Sequence, residues 1–229
     1  MKILIVSGFL GAGKTTFIKR LARNVDQRFA ILENEYGAAG IDGARLGQNR
    51  QGTQKNVWEM TEQCICCIGK KDFAASVLTI ANVVDPEYLI VEPTGVGSLA
   101  RIIENLRQIE YERIQLLSPV TIVDVYSYRR YMAEYPELYQ DQIRSADTII
   151  VSKTEACQAE EKQRIQKFLQ EINSQAKIIT DYASTMTRED YQSLLLGSRY
   201  EKKVQDTQSG EKMPETFSFE NIRMEAPET

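Results

Sequence analysis

Apolar runs rich in valine, isoleucine and leucine alternate along the chain with stretches in which apolar residues recur at helical spacing. The runs predict β-strands, and the periodic stretches predict α-helices. We expect strands at Lys2–Ser7, Phe29–Glu33, Asn56–Met60, Glu87–Glu92, Pro119–Val125, Asp147–Ser152 and Lys177–Thr180. We expect helices at Lys14–Asn24, Asp72–Val84, Ser98–Gln108, Leu138–Ser145 and Ala159–Asn173. Because strands and helices alternate, the predicted fold class is α/β, with a mainly parallel sheet flanked by helices in three layers.

Two parts of the chain depart from this alternation. Asn34–Lys55 holds five glycines with little periodicity, and a loop of that length is usually functional or poorly ordered. Beyond about residue 185 the pattern weakens to a short helix at Arg188–Leu196, a polar stretch at Glu201–Glu215 and a strand at Thr216–Arg223. We therefore expect one domain over residues 1–185 and a C-terminal segment of helix, linker and strand over residues 186–229.

The charge and composition of the chain exclude several classes of protein. Of its 229 residues 42% are hydrophobic, and 28 Lys and Arg oppose 32 Asp and Glu for a formal charge of −4. Histidine is absent, which excludes histidine acid–base catalysis, Ser-His-Asp triads and zinc sites that need imidazole. The mild acidity argues against nucleic acid or an anionic membrane as a partner. No apolar run approaches the ~20 residues that span a bilayer, so we expect a cytoplasmic protein.

The segment Gly8-Phe9-Leu10-Gly11-Ala12-Gly13-Lys14-Thr15-Thr16 matches the phosphate-binding pattern G-x-x-x-x-G-K-[ST] and joins a predicted strand to a predicted helix. Glycines allow successive backbone N–H groups to face inward, and the helix adds its positive end, so the loop can cradle an anion. Lys14 is expected to reach the β- and γ-phosphates, and Thr15 to bind Mg²⁺. The expected phosphate-binding residues are Gly8, Gly11, Ala12, Gly13, Lys14, Thr15 and Thr16. The alternative is a plain glycine-rich turn.

A magnesium-binding carboxylate is expected in Tyr88–Gly95, an apolar strand that ends in Glu92 and is followed by Gly95. In phosphate-loop proteins such a strand-terminal carboxylate binds Mg²⁺, usually through water, and a nearby glycine N–H can sense the γ-phosphate. Lys14 and Glu92 are therefore the candidate catalytic residues. The alternative is that Glu92 merely faces water.

A base-binding tetrad is expected at Ser152-Lys153-Thr154-Glu155, directly after an apolar strand, where GTPases carry Asn-Lys-x-Asp. In that motif the lysine stem packs along the base and the carboxylate accepts the guanine N–H groups. Glu155 keeps the charge but adds a methylene, and Ser152 replaces the asparagine. The predicted nucleotide contacts are thus Ser152, Lys153 and Glu155, with guanine favoured, and the alternative is an ordinary polar turn.

A metal-binding site is indicated by Cys64-Ile65-Cys66-Cys67, because its three thiols can converge on one ion if the chain turns. Thiolates are ligands for Zn²⁺ and similar cations. Without histidine, the fourth ligand must be a carboxylate, a water or another cysteine, and Glu33 and Glu35 are the best candidates. The alternative is a redox-active or reactive thiol cluster.

These motifs, in this order, resemble the CobW/HypB/UreG-type metallochaperone GTPases, and within them the CobW-like branch that carries a C-x-C-C motif. The resemblance rests on Gly8–Thr16, Glu33–Gly37, Cys64–Cys67, Glu92–Gly95 and Ser152–Glu155, and it covers residues 1 to about 185. It implies a three-layer P-loop NTPase fold, slow GTP hydrolysis with Mg²⁺, binding of Zn²⁺ or Co²⁺, and delivery of the metal to a client metalloprotein or a cofactor pathway. Members often form a nucleotide-dependent homodimer.

Further implications of the resemblance concern single residues. The metal ligands would be Cys66 and Cys67 with Glu33, and Cys64 close behind, while Glu33–Gly37 would belong to a switch region that moves with the nucleotide. The chain departs from the family at Ala38 and Gln63 and ends soon after Thr216–Glu220, which looks like the first strand of the usual C-terminal domain.

Two other functions are alternatives to a metallochaperone GTPase. A P-loop small-molecule kinase would account for Lys14 and Glu92 but leaves Cys64–Cys67 and Ser152–Glu155 unexplained, and an arginine-rich lid is not evident in the sequence. A nucleotide-gated regulatory protein would use the cysteines as a structural site and bind GTP with negligible turnover.

Overall fold

A computed structural model of the chain describes residues 1–35, 57–63, 70–197 and 200, with residues 33–35, 57–63 and 70–72 described by their backbone alone. The strands in these ranges are β1 (Lys2–Gly8), β2 (Phe29–Glu35), β3 (Val57–Gln63), β4 (Tyr88–Glu92), β5 (Gln115–Leu116), β6 (Val120–Asp124), β7 (Thr148–Ser152) and β8 (Lys177–Ile179). The helices are α1 (Lys14–Asn24), α2 (Lys70–Val83), α3 (Leu99–Arg107), α4 (Tyr128–Glu134), α5 (Pro136–Arg144), α6 (Ala159–Ile172), α7 (Tyr182–Thr185) and α8 (Arg188–Leu196).

The strands form one sheet in the order β3-β2-β4-β1-β6-β7-β8, and the short β5 also pairs with β1. All of these pairings are parallel. The central strand β1 therefore has β4 on one side and β6 on the other. Because parallel strands run the same way, the residues that end them, Gly8, Glu92, Asp124 and Ser152, meet at one edge of the sheet.

Helices cover both faces of this sheet. The inner strands β1, β4, β6 and β7 are buried along almost their whole length, as expected where helices lie on both sides. One apolar cluster joins Leu4 and Ile122 to Phe17 of α1 and Leu195 of α8. Another joins the opposite face to α2 and α3. The predicted α/β class, a mainly parallel sheet flanked by helices in three layers, is confirmed.

The predicted elements recur with ends shifted by a few residues, and the structure adds α4, α7 and the two-residue β5. Helix α4 escaped prediction because only Tyr128 among its seven residues is buried, so it shows little apolar periodicity. The predicted strand at Thr216–Arg223 and most of Asn34–Lys55 lie outside the described residues. Across the described ranges, no helix combines the length and the hydropathy that crossing a membrane requires.

Candidate nucleotide-binding site

The loop after β1 has the backbone of an anion cradle. Gly8, Gly11 and Gly13 have φ values of 143°, 71° and 99°, a region that side chains disfavour. A Cβ on Gly8 would also come within 2.5 Å of the Ile122 carbonyl oxygen. Gly13 caps α1 without a side-chain hydrogen bond, and the first turn of α1 has no acidic residue. No carboxylate of α1 itself therefore neutralises the amides at its start, which favours an anionic ligand.

Lys14 lies inside this loop, with only 7% of the residue exposed. Its Nζ donates to the carbonyl oxygens of Gly8 at 3.0 Å and of Phe9 at 3.4 Å. Burial lowers the pKa of Lys14, and attraction to the Glu92 carboxylate partly opposes that shift. A desolvated ammonium held by two carbonyl groups is poised to gain from an anion in the cradle.

Thr15 and Glu92 are in direct contact. The Thr15 Oγ1 donates to the two carboxylate oxygens of Glu92 at 3.1 and 3.3 Å. This contact forms because β4 is the neighbour of β1 and Ile5 is in register with Val91. A hydroxyl and a carboxylate are oxygen ligands of the kind that Mg²⁺ prefers. The residues fit a magnesium ion, and the structure brings together the pair that the sequence singles out.

The turn that contains Gly95 packs directly against the phosphate loop. A Cβ on Gly95 would stand 2.3 Å from the Leu10 nitrogen and 2.9 Å from the Phe9 carbonyl carbon. Only a residue without a side chain allows the two backbones to come this close. The Gly95 carbonyl oxygen accepts a hydrogen bond from the buried Gln142 side chain at 3.1 Å.

Ser152 and Lys153, at the end of β7, brace the same region. The Ser152 Oγ donates to the Ala12 carbonyl oxygen at 2.6 Å, so the tetrad contacts the phosphate loop. Lys153 has a φ of 61°, and its Nζ donates to an Asp124 carboxylate oxygen at 2.6 Å. Asp124 also accepts from the Tyr126 backbone N–H and the Ser127 hydroxyl, both at 2.9 Å. Lys153 is thus tied to the end of the neighbouring strand β6.

Glu155 lines a pocket between the tetrad and residues of α6 and α7. The pocket measures about 460 Å³ and is lined by Thr154, Glu155, Lys162, Asp181, Ala183, Ser184 and Thr185. This volume falls in the range of small-molecule sites, roughly 300–1,000 Å³. Lys162 Nζ contacts Asp181 Oδ1 at 2.6 Å, and this hydrogen bond lowers the pKa of Asp181.

The structure adds residues that sequence reasoning missed. Asp124 ends an apolar strand, as Glu92 does, so the strand-plus-carboxylate signal was present in Val120–Asp124. A cluster of aromatic rings covers the phosphate loop: Phe9 lies 4.6 Å from Tyr131 and 5.1 Å from Tyr139, measured between ring centroids. Gln142 has no local signal, because its role depends on where α5 docks.

The predicted metal ligands are only partly within the described residues. Cys64, Cys66 and Cys67 lie outside them, and Glu33 is described by its backbone alone. In the parallel pairing of β2 and β4, Glu33 is in register with Glu92. Glu35 is in register with Gln63, the residue before Cys64. The described residues contain no group of three metal-ligating side chains, so the metal site stays a prediction.

Comparison with known proteins adds a family match. The model of the CobW/HypB/UreG nucleotide-binding domain matches residues 2–180. The zinc chaperone YeiR of Escherichia coli (strain K12) is 30% identical over 178 residues, which cover 76% of this chain and 53% of the relative. The zinc chaperone CobW of Pseudomonas aeruginosa is 27% identical over 209 residues, covering 78% and 56%.

Solved structures give the same fold. The Zn(II)-bound YjiA GTPase from E. coli has a TM-score of 0.60 at 21% identity, covering 82% of this chain and 58% of that one. At this identity the likeness establishes the fold. The chain spans about half the length of the curated relatives it matches.

Proposed function

Because the chain belongs to the CobW/HypB/UreG family by its nucleotide-binding domain, we propose that it binds and slowly hydrolyses GTP and couples the nucleotide state to handling of a transition metal. The cargo would be Zn²⁺ or Co²⁺, delivered to a client metalloprotein or a cofactor pathway in the cytoplasm. One observation carries the proposal: the register of Glu33 with Glu92 joins the predicted metal-binding and magnesium-binding residues on adjacent strands.

The phosphates would be held by Gly8–Thr16. The backbone N–H groups of this loop and the start of α1 offer hydrogen-bond donors, and Lys14 would turn its Nζ from the Gly8 and Phe9 carbonyl groups towards the phosphate oxygens. Thr15 and Glu92 would hold Mg²⁺, which when bound neutralises charge on the phosphate oxygens. Gly95 would offer its N–H to the γ-phosphate.

Slow hydrolysis is expected from the residue types near this loop. The chain has no histidine, and no side chain in the described part of the site stands out as the base that would orient an attacking water. Rate enhancement would rest on positioning and on the electrostatic effect of Lys14 and the loop amides, which act without a proton-transferring group.

The base would lie in the pocket beside Glu155, whose carboxylate can accept two N–H groups of guanine. The aliphatic stem of Lys153 would pack along the base. Ser152 would connect the base-binding tetrad to the phosphate loop through its hydrogen bond to the Ala12 carbonyl oxygen. Guanine preference depends on Glu155, since an adenine amino group and ring nitrogen do not offer the same pair of donors.

The metal would bind to Cys64, Cys66 and Cys67 with Glu33. The pairing of β2 with β3 supports this assignment, because Glu35 pairs with Gln63 and Cys64 follows at once. A change at the γ-phosphate would reach the metal through Glu92 and its register partner Glu33. Nucleotide-dependent dimerisation would be a further consequence of the same switch, as the resemblance implies.

A calorimetric titration tests the coupling. Metal-free protein is titrated with Zn²⁺ and with Co²⁺, in the presence and absence of GTP and Mg²⁺. We expect one tight site whose affinity changes with nucleotide, and its loss in Cys66→Ala/Cys67→Ala. Cys157→Ala is the matched control, because this fourth cysteine precedes α6 and lies outside the triad. Equal affinity in the double variant and the parent would reject the metal site.

The nucleotide half is tested separately with Lys14→Ala. This variant should lose binding or hydrolysis of GTP while it keeps the metal site, since the cysteines are unchanged. Competition between GTP and ATP for the parent protein tests the base contact. Equal affinities would show that Glu155 does not read guanine.

A further inference from the structure

The turn that follows Glu92 is held from within the protein by a single glutamine side chain. Gly97 N–H donates to the Thr94 carbonyl oxygen at 3.0 Å and closes the turn. The Gln142 Nε2 donates to the carbonyl oxygens of both Gly95, at 3.1 Å, and Gly97, at 2.9 Å. Gln142 belongs to α5, is only 1% exposed, and lies far from this turn in sequence.

The chemistry of the contact fixes the orientation of the Gln142 amide. Both partners are carbonyl oxygens, which only accept, so the NH₂ group and not the oxygen must face the turn. The Gln142 Oε1 has no hydrogen-bond donor among the described residues. The Gln142 side chain therefore leaves its oxygen without a hydrogen bond among the described residues, while its NH₂ group donates to the two carbonyl oxygens of the turn.

This contact also determines where the backbone N–H group of Val96 points. In a trans peptide the C=O and the following N–H point in opposite directions. When Gln142 holds the Gly95 oxygen towards the core, the Val96 N–H must point away from it. Val96 is 57% exposed, and neither its N–H nor that of Gly95 has an acceptor among the described residues. Within the described part of the chain, the turn thus presents the Val96 N–H as an unpaired donor, while its Gly95 packs against the phosphate loop.

Helix α5 connects this turn to two neighbouring parts of the site. Tyr139, one helical turn before Gln142, packs its ring 5.1 Å from that of Phe9 in the phosphate loop. Asp141 Oδ2 accepts the backbone N–H of Leu99 at 2.7 Å and so caps α3, which begins just after the turn. The phosphate loop, the turn and α3 are all fixed to one rigid helix.

We propose that Gln142 is a positioning residue that holds the Gly95–Gly97 turn so that the outward-pointing Val96 N–H is presented to the γ-phosphate. Through this turn, α5 sets how strongly the protein prefers a nucleoside triphosphate to a diphosphate. The inference rests on the proposed function, because it assumes that a nucleotide occupies the phosphate loop. Gln142 itself need not touch the nucleotide.

The test compares two affinities in the full chain. Gln142→Met keeps the length and removes both donors, and its dissociation constants are measured for the non-hydrolysable β,γ-imido analogue of GTP and for GDP, each with Mg²⁺. We expect the triphosphate-to-diphosphate preference to fall about tenfold, which corresponds to about 1.4 kcal/mol for the loss of two hydrogen bonds that align the turn. GDP affinity should change little.

Thr121→Val provides the matched control. The Thr121 Oγ1 donates to the backbone carbonyl oxygen of Gln142 at 2.9 Å, and the residue is buried. This variant loses a buried hydrogen bond to the same residue of α5 without removing the donors that hold the turn. It should melt earlier than the parent and keep the parental nucleotide preference. If the role of Gln142 were purely structural, Gln142→Met would behave in the same way.

The outcomes separate this inference from the proposed function. If the parent binds GTP and Gln142→Met is folded with an unchanged preference, the inference is wrong and the proposed function stands. If the parent binds no GTP, both fail. If Gln142→Met does not fold, the Gln142 side-chain amide resonances of the parent, labelled with ¹⁵N, decide the matter. They should shift between the GDP and imido-analogue complexes, and identical resonances would overturn the inference.

Discussion

Gly95→Ala tests whether the close approach of the turn to the phosphate loop matters for the chemistry. The added Cβ would stand 2.3 Å from the Leu10 nitrogen, where ordinary contacts begin near 3.4 Å, so one backbone must retreat by roughly 1 Å. Gly95 has no positive φ, and the cost is therefore steric and not conformational. Overpacking of this kind costs about 1–3 kcal/mol. For a domain of this size that lowers the melting temperature by roughly 2–12 °C.

The effect on hydrolysis should exceed the effect on stability. A displacement of about 1 Å at a reacting centre can cost on the order of 100-fold in rate, and here it separates the turn from the loop that would hold the phosphates. Stability is measured by thermal melting followed by circular dichroism. Hydrolysis is measured as phosphate release from GTP at saturating Mg²⁺.

Gly197→Ala is the matched control for this variant. Gly197 follows α8, outside the phosphate loop, and a Cβ there would stand 3.1 Å from the Ser193 carbonyl oxygen. The same substitution therefore has a steric cost away from the site. We expect a loss of stability with hydrolysis close to that of the parent. If Gly95→Ala hydrolyses GTP at the parental rate, or if Gly197→Ala is impaired just as much, the steric reasoning is refuted.

Three further changes test other contacts of the site. Thr15→Val and Glu92→Gln should each raise the Mg²⁺ concentration needed for half-maximal GTP hydrolysis by about tenfold or more, since each removes an oxygen ligand. Asp124→Asn should weaken GTP binding a few-fold by freeing Lys153, with a stability change of about 1 kcal/mol at most, because Lys153 is 47% exposed in its side chain and screened by solvent. Burial raises the pKa of Asp141, so the parent should lose stability relative to Asp141→Asn as the pH rises above 3.8, as followed by melting.

The opposite results would be informative in each case. An unchanged Mg²⁺ requirement in both variants would remove Thr15 and Glu92 from the magnesium site. Unchanged GTP affinity in Asp124→Asn would mean that the position of Lys153 does not depend on its ion pair. For Asp141, the sign follows from burial: the folded state holds the proton more tightly than the unfolded state. A parent that gains stability relative to Asp141→Asn as the pH rises would therefore contradict the raised pKa.

Much of the fold and part of the site could be predicted because the signals are local. Gly8–Thr16 carries the phosphate-loop pattern in nine consecutive residues, and the apolar runs of β1 and β4 indicate that these strands are buried, as they are. The contact of Thr15 with Glu92 is long-range, yet it follows from one topological rule, that parallel strands end at the same edge of a sheet.

The rest could not be predicted because it depends on how distant elements dock. Gln142 is one polar residue in an amphipathic helix, and only the position of α5 against the Gly95–Gly97 turn gives it a role. The aromatic rings around Phe9 come from α4 and α5 and share no sequence pattern. Asp124 is the exception, because a carboxylate at the end of an apolar strand is a local signal.

The central place of β1 also has a consequence for how the protein is made. Val6 pairs with Val120 and Ile5 with Val91, so β1 leaves the ribosome well before the strands with which it pairs. Such long-range parallel pairing slows folding, since the loops must close before the contacts form. The phosphate loop gains its Ser152 brace only after β7 has emerged. We therefore expect nascent chains to bind nucleotide only late in synthesis. Until then, their exposed apolar strands depend on other molecules to shield them from aggregation.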